Sequence, residues 1–240
     1  MKKLFVFFII VQSINYEYLS GQEYNFSNVK PSITKFYEYI YQDSSKSTPD
    51  LTKIFDYSAK ASYFKEIKEK YFADLTQGIK LDNLRMVLLN IRIHYDGDIN
   101  TQYAILTFPN KKKIYFALNA DTVFQENYPA QIDDIYLSNG KSLISYDCNG
   151  VPEKLLFRGL LNPEIIKSSL NVYQRPETKS ISNNKIMLNQ IFYFSPNESD
   201  WWEIFNYEDQ KSLGFIKKDN IIMFNDFPKS IKDKILREGC

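Results

Sequence analysis

The spacing of apolar positions changes once along the chain, from every third or fourth residue to every second. Ile33, Phe36, Tyr37 and Ile40 recur at helical spacing behind Pro31-Ser32 and predict a helix with one apolar face. Asp43 to Ser47 is a polar break, and Thr48-Pro49 reads as an N-cap and first helical position ahead of Leu51, Ile54 and Phe55. Phe64, Ile67, Tyr71 and Leu75 form a further stripe, with Lys65, Glu66, Lys68 and Glu69 on the wet side and Gly78 as its stop. From Leu89 the period becomes two: Leu89, Ile91, Ile93 and Tyr95 alternate with Asn90, Arg92 and His94, which predicts a strand with one wet face. Asp96-Gly97 is a turn. Strands over Tyr103 to Phe108 and Ile114 to Leu118 follow, and Asn139-Gly140 joins Gln131 to Leu137 with Lys141 to Ser145 as a hairpin.

Helices followed by an antiparallel meander predict an α+β domain over residues 22–162, its helices packed on a curved antiparallel sheet. The element order resembles the nuclear-transport-factor-like cone and, almost as well, a cystatin-like helix-on-sheet arrangement. Periodicity fades from Tyr146 to Asn162, where Asp147, Asn149, Gly150 and Pro152 form turns and Leu155, Leu156 and Phe157 close the first domain. The junction is expected near Asn162-Pro163.

The next segment carries the most specific pattern. Leu170-Asn171-Val172 is followed by Pro176, then Asp200-Trp201-Trp202-Glu203-Ile204, Gly214-Phe215-Ile216, and Asp219-Asn220 before Ile221-Ile222. In this order and spacing residues 164–224 resemble a bacterial SH3-like domain, with Tyr173 where that family usually has Arg and Arg175-Pro176 where it has Gly-Pro. The resemblance covers about a quarter of the chain and implies a small SH3-like β-barrel over residues 163–224 that binds rather than catalyses. Gly214 predicts a sharp bend or a close backbone approach. Residues 225–240 predict a short basic amphipathic helix, Ile231 and Ile235 on one side and Lys229, Lys232, Lys234 and Arg237 on the other. It either meets an anionic surface or docks through its two isoleucines.

The first 21 residues read as a signal peptide: Lys2 and Lys3, then Leu4 to Val11, an apolar run too short to span a bilayer, with Gly21 at the expected cleavage point. An uncleaved anchor or a buried strand is the plainer alternative. Export implies a periplasmic or extracellular location. There Cys148 and Cys240 form a disulfide or stay as two thiols, and their spacing excludes a Cys-based zinc site. A net charge of +1 excludes the basic balance of a nucleic-acid binder, and 16% aromatic content suits β-rich structure.

Candidate chemistry is sparse. Trp201 and Trp202 point to opposite faces of one strand. Ile204 shares a face with Trp202, which makes Trp202 core and Trp201 the exposed ring. Trp201 with Tyr173, Tyr193 and Asp200 is the candidate groove for a peptide, a cell-wall glycan or an envelope protein, unless Trp201 packs on the first domain. His94, the one histidine, falls on the polar side of its strand near Asp96 and Asp98; it is a surface residue or, in a cone-shaped pocket, a general base. Asp133 and Asp134 face opposite ways and make no acid pair. G-x-S-x-G, H-E-x-x-H and phosphate-cradling glycine loops are missing. The expectation is an exported, non-enzymatic binding protein with no cofactor, no metal and no stable membrane span. An enzyme using His94, or a purely structural role, is the alternative.

Overall fold

The helical stripes fold onto one face of a sheet, and a second sheet covers the other. The computed structural model describes residues 26–42, 51, 53–55, 64–95, 102–125, 127–146 and 152–232. Residues 1–21, read above as a signal peptide, Asp43 to Asp50, Asp96, Asp98, Cys148, Ile235 and Cys240 lie outside the described residues.

Helix α1 (Val29–Tyr41) buries Ile33, Phe36, Tyr37 and Ile40, the stripe its spacing predicts. Its start is pinned by Asn28, whose Nδ2 donates to the carbonyls of Thr122, Gln125 and Tyr128 at 3.0–3.1 Å. Helix α2 (Phe64–Thr76) buries Phe64, Ile67 and Leu75. It ends at Gln77 and Gly78 with φ of 50° and 71°, so Gly78 is the stop it was expected to be. A third helix, α3 (Leu81–Leu88), departs from the expected pattern. Leu84, Val87 and Leu88 are its buried side, and Leu89, read above as the first inward strand position, sits just past its end and is 62% exposed. Leu51, Ile54 and Phe55 are buried, and Phe55 makes a parallel bridge to Ile132.

The first sheet is antiparallel throughout, in the order of the chain: β1 (Arg92–Tyr95), β2 (Gln102–Thr107), β3 (Lys113–Leu118), β4 (Ile132–Tyr136), β5 (Lys141–Tyr146) and β6 (Pro152–Lys154). A short helix, α4 (Ala120–Val123), links β3 to β4 and is capped by the Asn119 side chain. Ala104, Leu106, Ile114, Phe116 and Ile135 face the helices, where the Phe36 and Phe116 rings meet edge to face at 5.8 Å. The opposite side, with Tyr103, Ile105, Tyr115, Ala117 and Tyr136, belongs to a second core.

That second core is shared with the second sheet, made of β7 (Phe157–Leu161), β8 (Ser169–Tyr173), β9 (Ile181–Met187), β10 (Phe192–Ser195), β11 (Trp201–Asn206), β12 (Ser212–Lys217) and β13 (Ile221–Met223). Its order is β13-β7-β10-β11-β12-β8-β9, with a 3₁₀ turn at Lys218–Asn220 just before β13. This corrects the barrel expected over residues 163–224. The order is open, with β13 and β9 at its edges, and no pairing among the described residues closes it. The physical reason is the neighbour: apolar inner surface that a barrel would bury by closure is buried instead against the tyrosines of the first sheet. The second sheet also takes its first strand, β7, from before Asn162-Pro163. Phe157 is the centre of the contact, with ring centroids of His94 at 4.7 Å, Tyr103 at 4.9 Å, Tyr115 at 5.7 Å and Phe194 at 5.9 Å.

After β13 the chain crosses the outer side of this sheet. Phe224 and Phe227 pack on Leu160, and Ile231 joins them from a helical turn over residues 229–232. Ile231 thus packs against this cluster, while Ile235, the other isoleucine expected to dock, lies outside the described residues.

Candidate functional site

The strand β11 alternates as its sequence predicts. Trp202 turns inward, its ring stacked on Phe194 at 5.1 Å and its Nε1 donating to the Asn197 carbonyl at 3.2 Å. Trp201 turns outward and is half-buried. The loop before it is tied by its own side chains: Asn197 Oδ1 accepts from the Ser199 N–H at 2.8 Å, and Ser199 Oγ accepts from the Trp201 N–H at 3.1 Å.

Strand register then assembles the outer face. Trp201 lies opposite Lys217 on β12, and Glu203 opposite Phe215. Phe215 in turn lies opposite Tyr173 on β8, and Tyr173 opposite Ile181 on β9. Directly paired residues share a face. The result is a strip of half-buried Trp201, Phe215 and Tyr173 ending in Ile181, which is 56% exposed. The Tyr173 and Trp201 rings meet edge to face at 5.1 Å and 77°. Lys217 Nζ stands 5.8 Å from the indole centroid. The backbone approach expected at Gly214 is what brings β8 this close: a Cβ there would lie 2.3 Å from the Tyr173 carbonyl oxygen.

Three of the nominated residues come together. Asp200 borders the strip, where Lys218 Nζ donates to its carboxylate at 2.6 Å. That bond holds the Asp200 carboxyl below the usual carboxylate range and the Lys218 ammonium above its own. The Lys218 N–H also donates to the Asp200 carbonyl at 2.9 Å, which closes the end of the β11–β12 pair. Tyr193 is corrected. It shares the outer face but is 8% exposed, stacked on Tyr207 at 5.3 Å and paired with Phe205, so it lies under cover rather than in a groove. Phe215, Lys217 and Ile181 escaped the sequence reading. Phe215 and Lys217 share the period-two face of their strand, but which strand they oppose depends on long-range register.

His94 is the second correction. Alternation placed it on a wet face; it is 1% exposed, and its ring meets Phe157. A sheet covered on both sides buries both sets of alternating residues. Burial first, then the charges of Lys232 and Arg158, push its pKa down to about 3. Its Nε2 has no hydrogen-bond partner among the described residues. A neutral ring sealed in this way does not suit a base that must reach a substrate. Asp134 is likewise buried, its carboxylate accepting from Ser142 Oγ at 2.6 Å and the Ile144 N–H at 3.0 Å, while Asp133 is half-buried, as opposite facing predicts.

A shallow cleft of about 160 Å³ opens between α2, the Asn139-Gly140 turn and Glu198, lined by Tyr71, Asp74, Lys112 and Lys141. The hydrogen bond from Lys141, and then the charges of Lys141 and Lys70, hold the Tyr71 phenol below the usual tyrosine range against partial desolvation. In a spectroscopic pH titration, Tyr71→Phe is expected to remove a phenolate step that begins earlier than that of free tyrosine. An unchanged titration curve would show that the lysines do not act on this ring.

Among the described residues no helix is long and apolar enough to cross a membrane, and no three metal-ligating side chains cluster. Compared with protein-family models, curated proteins and solved structures, the chain finds no match.

Proposed function

We propose that the chain is an exported, non-enzymatic binding protein whose SH3-like C-terminal unit recognises an extended peptide of the cell envelope through the Trp201–Tyr173 face. Support for the SH3-like reading comes from element order: a long hairpin (β8–β9), a three-strand meander (β10 to β12), a 3₁₀ turn, and a last strand returning beside β7. Export rests on the N-terminal pattern of Lys2, Lys3 and Leu4 to Val11.

The observation that carries the reading is the edge-to-face pair of Tyr173 and Trp201 at 5.1 Å, half exposed on the outer side of the sheet. Two rings that hold each other give a ligand flat apolar contact at little entropic cost. The strip crosses four strands, and three interstrand steps of about 4.8 Å span roughly 14 Å, the length of about four extended residues.

Trp201→Ala is expected to weaken binding of soluble muropeptides and of random octapeptides by about ten-fold or more, with a lowered Tm from the lost ring contact but the circular dichroism of the folded protein retained at the assay temperature. Binding that survives this change, or a wild-type protein that takes none of these probes, would refute the site. Equal binding of glycan strands stripped of peptide would assign the face to saccharide instead.

A further inference from the structure

We infer that the peptide recognised by this face is acidic, and that Lys217 selects it; the inference rests on the peptide-binding reading above. Most cations around the strip are held by acids, whereas Lys217 beside Trp201 and the exposed Lys185 opposite Asn171 on β9 form no ion pair among the described residues. Lys218 is bonded to Asp200 at 2.6 Å, Lys154 to Glu203 at 3.0 Å and Lys211 to Asp209 at 2.7 Å. Glu203 is further engaged by Ser212 Oγ at 2.7 Å. Lys217 has no acid within ion-pair distance among the described residues, although its charge reaches the Asp200 carboxylate, and it stands 5.8 Å from the ring centroid of Trp201, the residue opposite it in register.

That position sets the chemistry of the ligand. An ammonium beside a half-buried indole keeps water on its open side. A ligand that covers Trp201 strips that water away. A carboxylate then replaces it with a charge-assisted hydrogen bond in a medium of reduced dielectric. A neutral side chain leaves the ammonium desolvated and unpaired, and a basic one is repelled. Lys218 and Lys154 offer no such preference, because each already holds a carboxylate. Next to the charge, Phe215, Tyr173 and the exposed Ile181 run away from Lys217 across three strands and accept apolar side chains. The ligand is therefore an extended segment with one carboxylate followed by apolar residues.

The test uses the full chain and synthetic octapeptide pools that share randomised apolar flanks and differ only at a central Glu, Gln or Lys, with binding read by fluorescence anisotropy. The Glu pool is expected to bind about five-fold more tightly than the Gln pool, and the Lys pool most weakly. Lys217→Met is expected to erase the difference between Glu and Gln, and Lys217→Glu to invert the order. Because Lys217 is exposed, both variants are expected to fold as wild type does. Equal affinities for the three pools, or a Glu preference that persists in Lys217→Met, would overturn the selection by Lys217 and leave the peptide site standing. If no pool binds wild type, the peptide site falls and the inference falls with it.

Discussion

Replacing Gly214 with alanine is expected to destabilise the protein by about 3 kcal/mol or more. Two independent terms add at this position. Its φ of 125° lies in the region that side-chain-bearing residues avoid. The added methyl would also lie 2.3 Å from the Tyr173 carbonyl oxygen and 2.8 Å from Val172 Cγ1. The first obstacle is backbone, so no rotamer change relieves it. Relief requires β8 to part from β12 where Phe215 lies opposite Tyr173, which also withdraws Tyr173 from Trp201. Gly78 supplies the control: its φ is 71°, but a methyl there meets nothing within 4 Å. Gly78→Ala is expected to cost only about 1 kcal/mol. Urea denaturation of the two variants measures the contrast, and equal losses would show that the close approach at Gly214 is not a constraint.

Acid is expected to weaken the fold through His94. In the folded chain its pKa is pushed down to about 3, chiefly by burial, against about 6.5 when unfolded. Between these values the unfolded chain takes up a proton that the folded chain refuses, so stability falls as pH falls through this window. It is fully present above about pH 6.5, and the loss levels off below about pH 3. At about 1.4 kcal/mol per pH unit, the whole window amounts to no more than about 5 kcal/mol. His94→Leu removes the titrating group together with a buried Nε2 that has no partner among the described residues. Its stability relative to wild type is expected to climb steadily from pH 7 to pH 4 in parallel urea titrations. A difference that does not vary with pH would refute the buried, neutral state of His94.

Local features were legible wherever one face of an element meets one core. The stripe of α1, the stop at Gly78, the Asn139-Gly140 hairpin and the inward Trp202 all follow from spacing and turn chemistry. The reading failed where a second layer intervened. The stretch around Leu89 mixes the end of α3 with the start of β1, and its alternation spans both. His94 was misplaced because nothing local shows that a sheet is covered twice. The barrel was misjudged for the same reason, since closure and coverage by a neighbour call for the same inward-facing residues. Of the candidate site, Trp201 and Tyr173 were within reach because each shows its face by parity. Tyr193 has the same parity but is roofed by Tyr207, a residue fourteen positions further along the chain. Lys217 and Phe215 depend on which strand lies beside which, information that only the folded chain carries.

The inter-sheet contact centred on Phe157 has a bearing on evolution and on dissection alike. Small binding modules are often portable, because each carries its own sealed interior. Here Tyr103, Tyr115 and Tyr136 from one half and Phe157, Phe192 and Phe194 from the other make one common interior. Severing the chain between the sheets would wet both halves at once. The proposed recognition face is thus not expected to be lent to another protein as a free-standing cassette; it travels with its scaffold, and the two halves are expected to melt together.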